Sequence, residues 1–176
     1  MPEYPPIESL LPHTGPIVLL RRVLAHAERE TVCEVVPTGD DLLADAAGRV
    51  PAWVGIEYMA QCVAAHSGML ARVRGVAPRP GFLVASRRID LHAAELVPDR
   101  ALWVRARHVW GEHEGMVSFD CTVSDAVTGA ALVSGRLSCL LPAADDPILR
   151  DPSGAASRSD ETSAPSEASA SSEASA

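Results

Sequence analysis

Along residues 116–124, apolar Val117, Phe119, Cys121 and Val123 alternate with polar Ser118, Asp120, Thr122 and Ser124. A period of two is the mark of a half-buried strand. Residues 31–36 set Cys33 and Val35 against Val32, Glu34 and Val36, and residues 131–141 gather Val133, Leu137, Cys139 and Leu141 on one face. Residues 17–25, rich in Val, Ile and Leu, together with 81–91 and 101–110, bring the expected strands to about six. Short turns at 112–115 and Thr128-Gly129 join the last three, so they should form an antiparallel meander.

Residues 50–70, VPAWVGIEYMAQCVAAHSGML, break this rhythm. Pro51 sits where a helix would begin, because the first helical N–H has no intrahelical partner to lose. The run continues without a breaker until Gly68 and Gly75 mark its far end. Apolar residues occur all round it, which predicts a helix buried on most sides. The order is two strands, one long helix, then four strands. One apolar helix against a curved antiparallel sheet is the α+β solution.

Glu57 is the anomaly in this helix, one turn before Gln61. A carboxylate is rarely buried without a partner, and no opposite charge follows before Arg72. Ala60, Ala64 and Gly68 share its stripe, so that side is thin enough to admit a substrate or a close neighbour. Val50 cannot cap the helix as Ser or Asp would, so the N–H groups of Ala52 and Trp53 are expected to be open to a ligand oxygen. The plain alternative is a Glu facing solvent, with water on the first turn.

From residue 143 onward Ser, Ala, Pro, Asp and Glu dominate. Such a tract cannot bury enough apolar surface to offset its ordering entropy, so residues 143–176 are expected to be a disordered acidic tail. Residues 1–142 then form one domain. The tail holds −5 of the chain's net −8, so acidity says little about the folded part. All fifteen basic residues are arginine, without a cluster that would suggest nucleic acid. No signal peptide and no membrane-length run is evident. Cys33, Cys62, Cys121 and Cys139 are scattered, without metal-site or redox spacing. Buried free thiols, a cytoplasmic setting and no metal or cofactor are therefore expected. His13 reads as a structural ring bonding nearby backbone, and His66, nine residues after Glu57, as a core histidine on the opposite side of the helix.

The residues resemble a known family at this point. The element order, read as two strands, a central helix and a four-stranded meander, is similar to the hotdog fold. Within it, Ile7-Glu8-Ser9-Leu10-Leu11-Pro12-His13 with residues 17–23, and residues 51–61 (PAWVGIEYMAQ), resemble signatures of 3-hydroxyacyl-acyl carrier protein dehydratases. Phe82 to Leu91 with Val97-Pro98-Asp99 is similar to that family's third strand and turn. The pattern Pro-Ala-Trp with Glu-Tyr-Met-Ala-Gln is similar to predicted dehydratases of aryl polyene pigment clusters. The resemblance implies a homodimer or heterodimer with sites at the interface, and an acyl carrier protein with a phosphopantetheine-linked acyl chain as partner. It implies Glu57 as catalytic acid, the Ala52 N–H as holder of the thioester carbonyl, and fatty acid or polyene biosynthesis as the setting. Trp53, Tyr58 and Gln61 would line the substrate tunnel.

The chain departs from the family in one respect. The loop at residues 40–50, where the family carries a histidine, has none and is shortened. Asp45, Asp41 or His13 would have to stand in as the second ionisable group. Three readings follow: a lyase forming trans-2-enoyl thioesters from (3R)-3-hydroxyacyl carriers, a non-catalytic hotdog subunit that completes a heterodimer, and an acyl thioesterase. Arg49, Arg72, Arg74 and Arg79, near the helix ends, would meet the acidic carrier or stay as solvated surface.

Overall fold

A computed structural model describes residues 3–112, 115–143 and 149. The expected tail lies almost wholly outside the described residues, as does His113. Six strands form one antiparallel sheet: β1 (Arg22–Ala27), β2 (Glu30–Val35), β4 (Phe82–Leu91), β6 (Leu102–Trp110), β7 (Gly115–Asp125) and β8 (Ala131–Leu141). Their order across the sheet is β1-β2-β6-β7-β8-β4. A two-residue pair, β3 (Val50–Pro51) with β5 (Glu95–Leu96), stands apart at the start of the helix. The helix α1 spans Gly55–Val73 and packs on β2, β6 and β7.

The period of two does what it promised. Val104 and Ala106 of β6, Phe119, Cys121 and Val123 of β7, and Val133 and Leu137 of β8 point inward, against Tyr58, Met59, Cys62 and Ala65 of α1. β6, β7 and β8 form the expected meander. The fourth member expected of it does not join in sequence order: β4 pairs with β8, at the far edge, because the chain first detours through β5 beside the helix start.

Two boundaries differ from expectation. Residues 17–21 are not strand. Gly15–Ile17 forms a short 3-10 turn with Gly15 at φ +71° and Pro16 after it, and β1 begins only at Arg22. The helix is entered through a 3-10 turn, Ala52–Val54, with Pro51 as its cap residue, and it runs on through Gly68 to Val73. It ends in a Schellman motif: the Gly75 N–H donates to Arg72 O and the Val76 N–H to Ala71 O, each at 3.0 Å. Gly75 sits at φ +70°, which that motif needs.

All four cysteines are free and buried. Burial pushes three of the thiols up, that of Cys139 to about 11 and those of Cys62 and Cys121 further. They are packing groups with little thiolate character. Among the described residues, no helix is long and apolar enough to cross a membrane.

Candidate functional site

Gln61 organises the site. It is 0 % exposed, yet sits in an otherwise apolar helix. Its Nε2 donates to Ile17 O at 2.6 Å and to Glu57 Oε1 at 2.9 Å. Its Oε1 accepts from the N–H groups of Leu19 at 3.0 Å and Leu20 at 3.4 Å. Two acceptors on one side and two donors on the other fix the amide's orientation. The side chain therefore replaces a strand ladder for residues 17–20 and straps that segment onto α1. It also holds Glu57, which is half-buried at the edge of the strapped segment. Gln61 is its one hydrogen-bond partner among the described residues, leaving the second carboxylate oxygen uncommitted.

The helix start departs from expectation. The Ala52 N–H is not open to a ligand oxygen: it donates to Ala94 O at 3.0 Å, continuing the β3–β5 pair. The physical reason is that a buried amide finds an acceptor wherever the fold offers one. The Trp53 N–H, the other donor expected there, has no partner among the described residues, and the Trp53 ring is 52 % exposed.

The three candidates for a second ionisable group stay separate from Glu57. Asp41 is spent on a turn, accepting from the Thr38 N–H at 2.8 Å and the Thr38 hydroxyl at 2.7 Å. Asp45 accepts from the backbone of Arg49 and Ala47 and pairs with the Arg49 guanidinium at 2.7 Å. Those Arg49 contacts hold its carboxyl below the usual range. His13 has a buried Nδ1 without a hydrogen-bond partner among the described residues, so that nitrogen does not bond Glu57. The expected tunnel residues also divide. Trp53 is at the surface, whereas Tyr58 and Gln61 are fully enclosed. Burial drives the Tyr58 hydroxyl well above its usual range, with the charge of Asp41 adding to it. Tyr58 is thus a neutral core phenol.

His26, His66 and His92 are engaged elsewhere. His66 is 2 % exposed on the opposite side of α1, as its phase requires. Its Nδ1 meets Thr31 Oγ1 at 2.9 Å, and the same hydroxyl meets His26 Nδ1 at 2.8 Å. His92 bonds Ser134 at 2.9 Å on the sheet. Sequence reasoning missed both the strap and the His26–Thr31–His66 chain. The signal for the strap was present, since an amide one turn after a carboxylate in an apolar helix needs four partners. The histidine chain depends on strand pairing and had no local signal.

A long helix with a six-stranded antiparallel sheet wrapped against it defines a hotdog-fold protein. Over residues 5–149 the chain matches the ApeP-like family, described as ApeP dehydratase. The protein belongs to that family, in keeping with the aryl polyene resemblance of its helix motif. It is similar to a chain of the dehydratase heterocomplex ApeI:P from Xenorhabdus doucetiae, with 27 % identity and a TM-score of 0.76 over 83 % of this chain and 97 % of that one. Zebra fish thioesterase superfamily member 2 shares the fold at 13 % identity and a TM-score of 0.56, over 77 % of this chain and 92 % of that one. AziG of S. sahachiroi does so at 17 % and 0.54, over 70 % and 90 %. No curated protein matches the chain.

Proposed function

We propose that this chain is one half of a hotdog heterodimer that dehydrates (3R)-3-hydroxyacyl thioesters carried on acyl carrier protein, giving trans-2-enoyl thioesters. The carrying observation is a half-built site: Gln61 orients Glu57 and is its one hydrogen-bond partner among the described residues, which leaves a carboxylate oxygen uncommitted. Dehydration breaks the C2–H and C3–O bonds, and water leaves. Glu57 gives a proton to the departing hydroxyl, and a histidine of the partner hotdog chain takes the C2 proton. The Trp53 N–H meets the thioester carbonyl as charge builds on it. For Ala52 to share that role, its bond to Ala94 must open. The similarity to a chain of a dehydratase heterocomplex supports the two-chain arrangement. So does β4, an edge strand that leaves Leu83 and Val84 exposed, a surface proteins ordinarily cover.

The missing ionisable partner equally favours a second reading, in which this chain shapes the complex and catalyses nothing. No observation favours the thioesterase. The test is turnover of 3-hydroxyacyl carrier by the chain alone, by the chain with a histidine-bearing hotdog partner, and by that pair carrying Glu57→Gln. A catalytic Glu57 gives an active pair that loses about 10²- to 10⁴-fold on substitution. An active pair indifferent to Glu57→Gln leaves this chain as the accessory subunit. Free acid without enoyl product sinks both readings.

A further inference from the structure

Behind the C-terminal half of α1 lies a cavity of about 460 Å³, walled mainly by Leu70, Val76, Val117, Phe119 and Leu141. The wall is open: Val76 is 50 % exposed. Open apolar surface of this kind marks a place that something covers. The rim is charged. Arg74 and Arg79 come from the segment after the helix, whereas Glu28 comes from the β1–β2 turn and Glu112 from the chain just after β6.

The last strand runs out at this cavity, since Leu141 and Pro142 belong to its wall. β8 is antiparallel to β4, with Leu140 opposite Phe82. Gly81 lies so close that a Cβ on it would meet Leu141 Cδ2 at 2.8 Å. Carried on, that register sets Pro142 opposite Pro80 and Ala143 opposite Arg79. The chain thus leaves β8 along the arginine side of the rim. Next come Asp145 and Asp146, then Pro147, then Ile148 and Leu149, the only large apolar residues beyond Pro142. Two acids match the two arginines, and the apolar pair matches the wall. From Ala143 to Ile148 the chain extends up to about 17 Å, enough to bring Ile148 back to that wall. Leu149 is itself half-buried. The family match also runs to residue 149 and stops before the Ser- and Ala-rich remainder.

We propose that residues 144–149 dock in this cavity, with Asp145 and Asp146 at Arg74 and Arg79 and with Ile148 and Leu149 against the apolar wall. The domain then ends at residue 149 instead of 142. Arg74 and Arg79 are spent on the chain itself and do not serve an acidic carrier. The test reads thiol reactivity in the full-length chain, whose native cysteines are buried. Val76→Cys reports the wall, and Val127→Cys, at a position 82 % exposed in the β7–β8 turn, is the open reference. With 5,5′-dithiobis(2-nitrobenzoic acid), Val76→Cys reacts about ten-fold or more slowly than Val127→Cys. Adding Ile148→Ser and Leu149→Ser brings its rate up to the reference, while the native thiols stay silent and show the fold intact. Asp145→Arg with Asp146→Arg does the same, and Arg74→Asp with Arg79→Asp in that background restores protection. Equal rates for Val76→Cys and Val127→Cys overturn the proposal. So does protection that survives both the serine and the arginine pairs. Protection that fades on dilution gives the cavity to a second copy of the chain and overturns it too.

Discussion

At the scale of single residues, the site depends on an amide more than on the acid it supports. Gln61 satisfies two backbone N–H groups, one backbone carbonyl and the Glu57 carboxylate at once. Gln61→Leu keeps the apolar bulk and removes every one of those bonds. Buried groups left unpaired lose about 1–3 kcal/mol each, so the expected loss of stability is about 3 kcal/mol after partial relaxation. Urea unfolding with an unchanged slope reads that loss directly. Gln61→Glu tests orientation: it can still accept from the Leu19 and Leu20 N–H groups but sets a second carboxylate against Glu57. Two carboxylates set that close hold a shared proton to higher pH than a lone one, so the pH profile of the active pair shifts upward relative to wild type. A Gln61→Leu chain as stable as wild type would show that the strap contributes nothing.

At the scale of elements, the crossing of the N-terminal segment over α1 turns on Gly68. A Cβ there would collide with the Leu10 carbonyl oxygen, and Leu10 itself is 1 % exposed. Gly68→Ala gains helix propensity but forces the two elements apart, with a net loss of about 2 kcal/mol expected. Hydrogen exchange at the Leu19 and Leu20 amides reports the crossing, since both quicken once the segment lifts; protection equal to wild type would contradict the contact. Gly68 was legible in part: it does not end the helix, which runs on to Val73, but it does belong to a stripe thin enough for a close neighbour, and that neighbour is the Leu10 backbone. The meander of β6, β7 and β8 was legible because each strand carries its own alternation and short turns. Residues 17–20 carry strand-like composition, but Ile17, Leu19 and Leu20 bond a side chain far along the chain, Gln61, so the segment was misread. Ala52 was misjudged for the same reason: its acceptor, Ala94, belongs to a crossing that no local pattern encodes. Glu57 and its thin stripe were legible because a lone carboxylate among apolar residues is anomalous wherever it sits.

At the scale of the whole molecule, stability should fall in two steps as pH drops, and the two steps have different owners. Burial lowers the proton affinity of His26 below its ordinary value of 6.5. Between 6.5 and that lowered value the unfolded chain binds more protons than the folded one, so stability declines with falling pH. The carboxylates act lower. Asp120 is held below its ordinary range by the Arg136 guanidinium and then by Arg107, and Asp125 by the Thr128 and Val127 N–H groups. Asp45, held by Arg49, joins them. Their contribution is complete above the ordinary carboxylate value of about 4 and disappears as pH falls through the folded values. Thermal unfolding measured from pH 8 to pH 3 should therefore show a shallow decline beginning near 6.5 and a steeper one below about 4. His26→Gln should flatten the first step and leave the second, whatever it does to the overall level. Asp120→Asn should reduce the second and leave the first. An upper step that survives His26→Gln undiminished would assign it to another group and remove the His26–Thr31–His66 chain from the protein's proton balance.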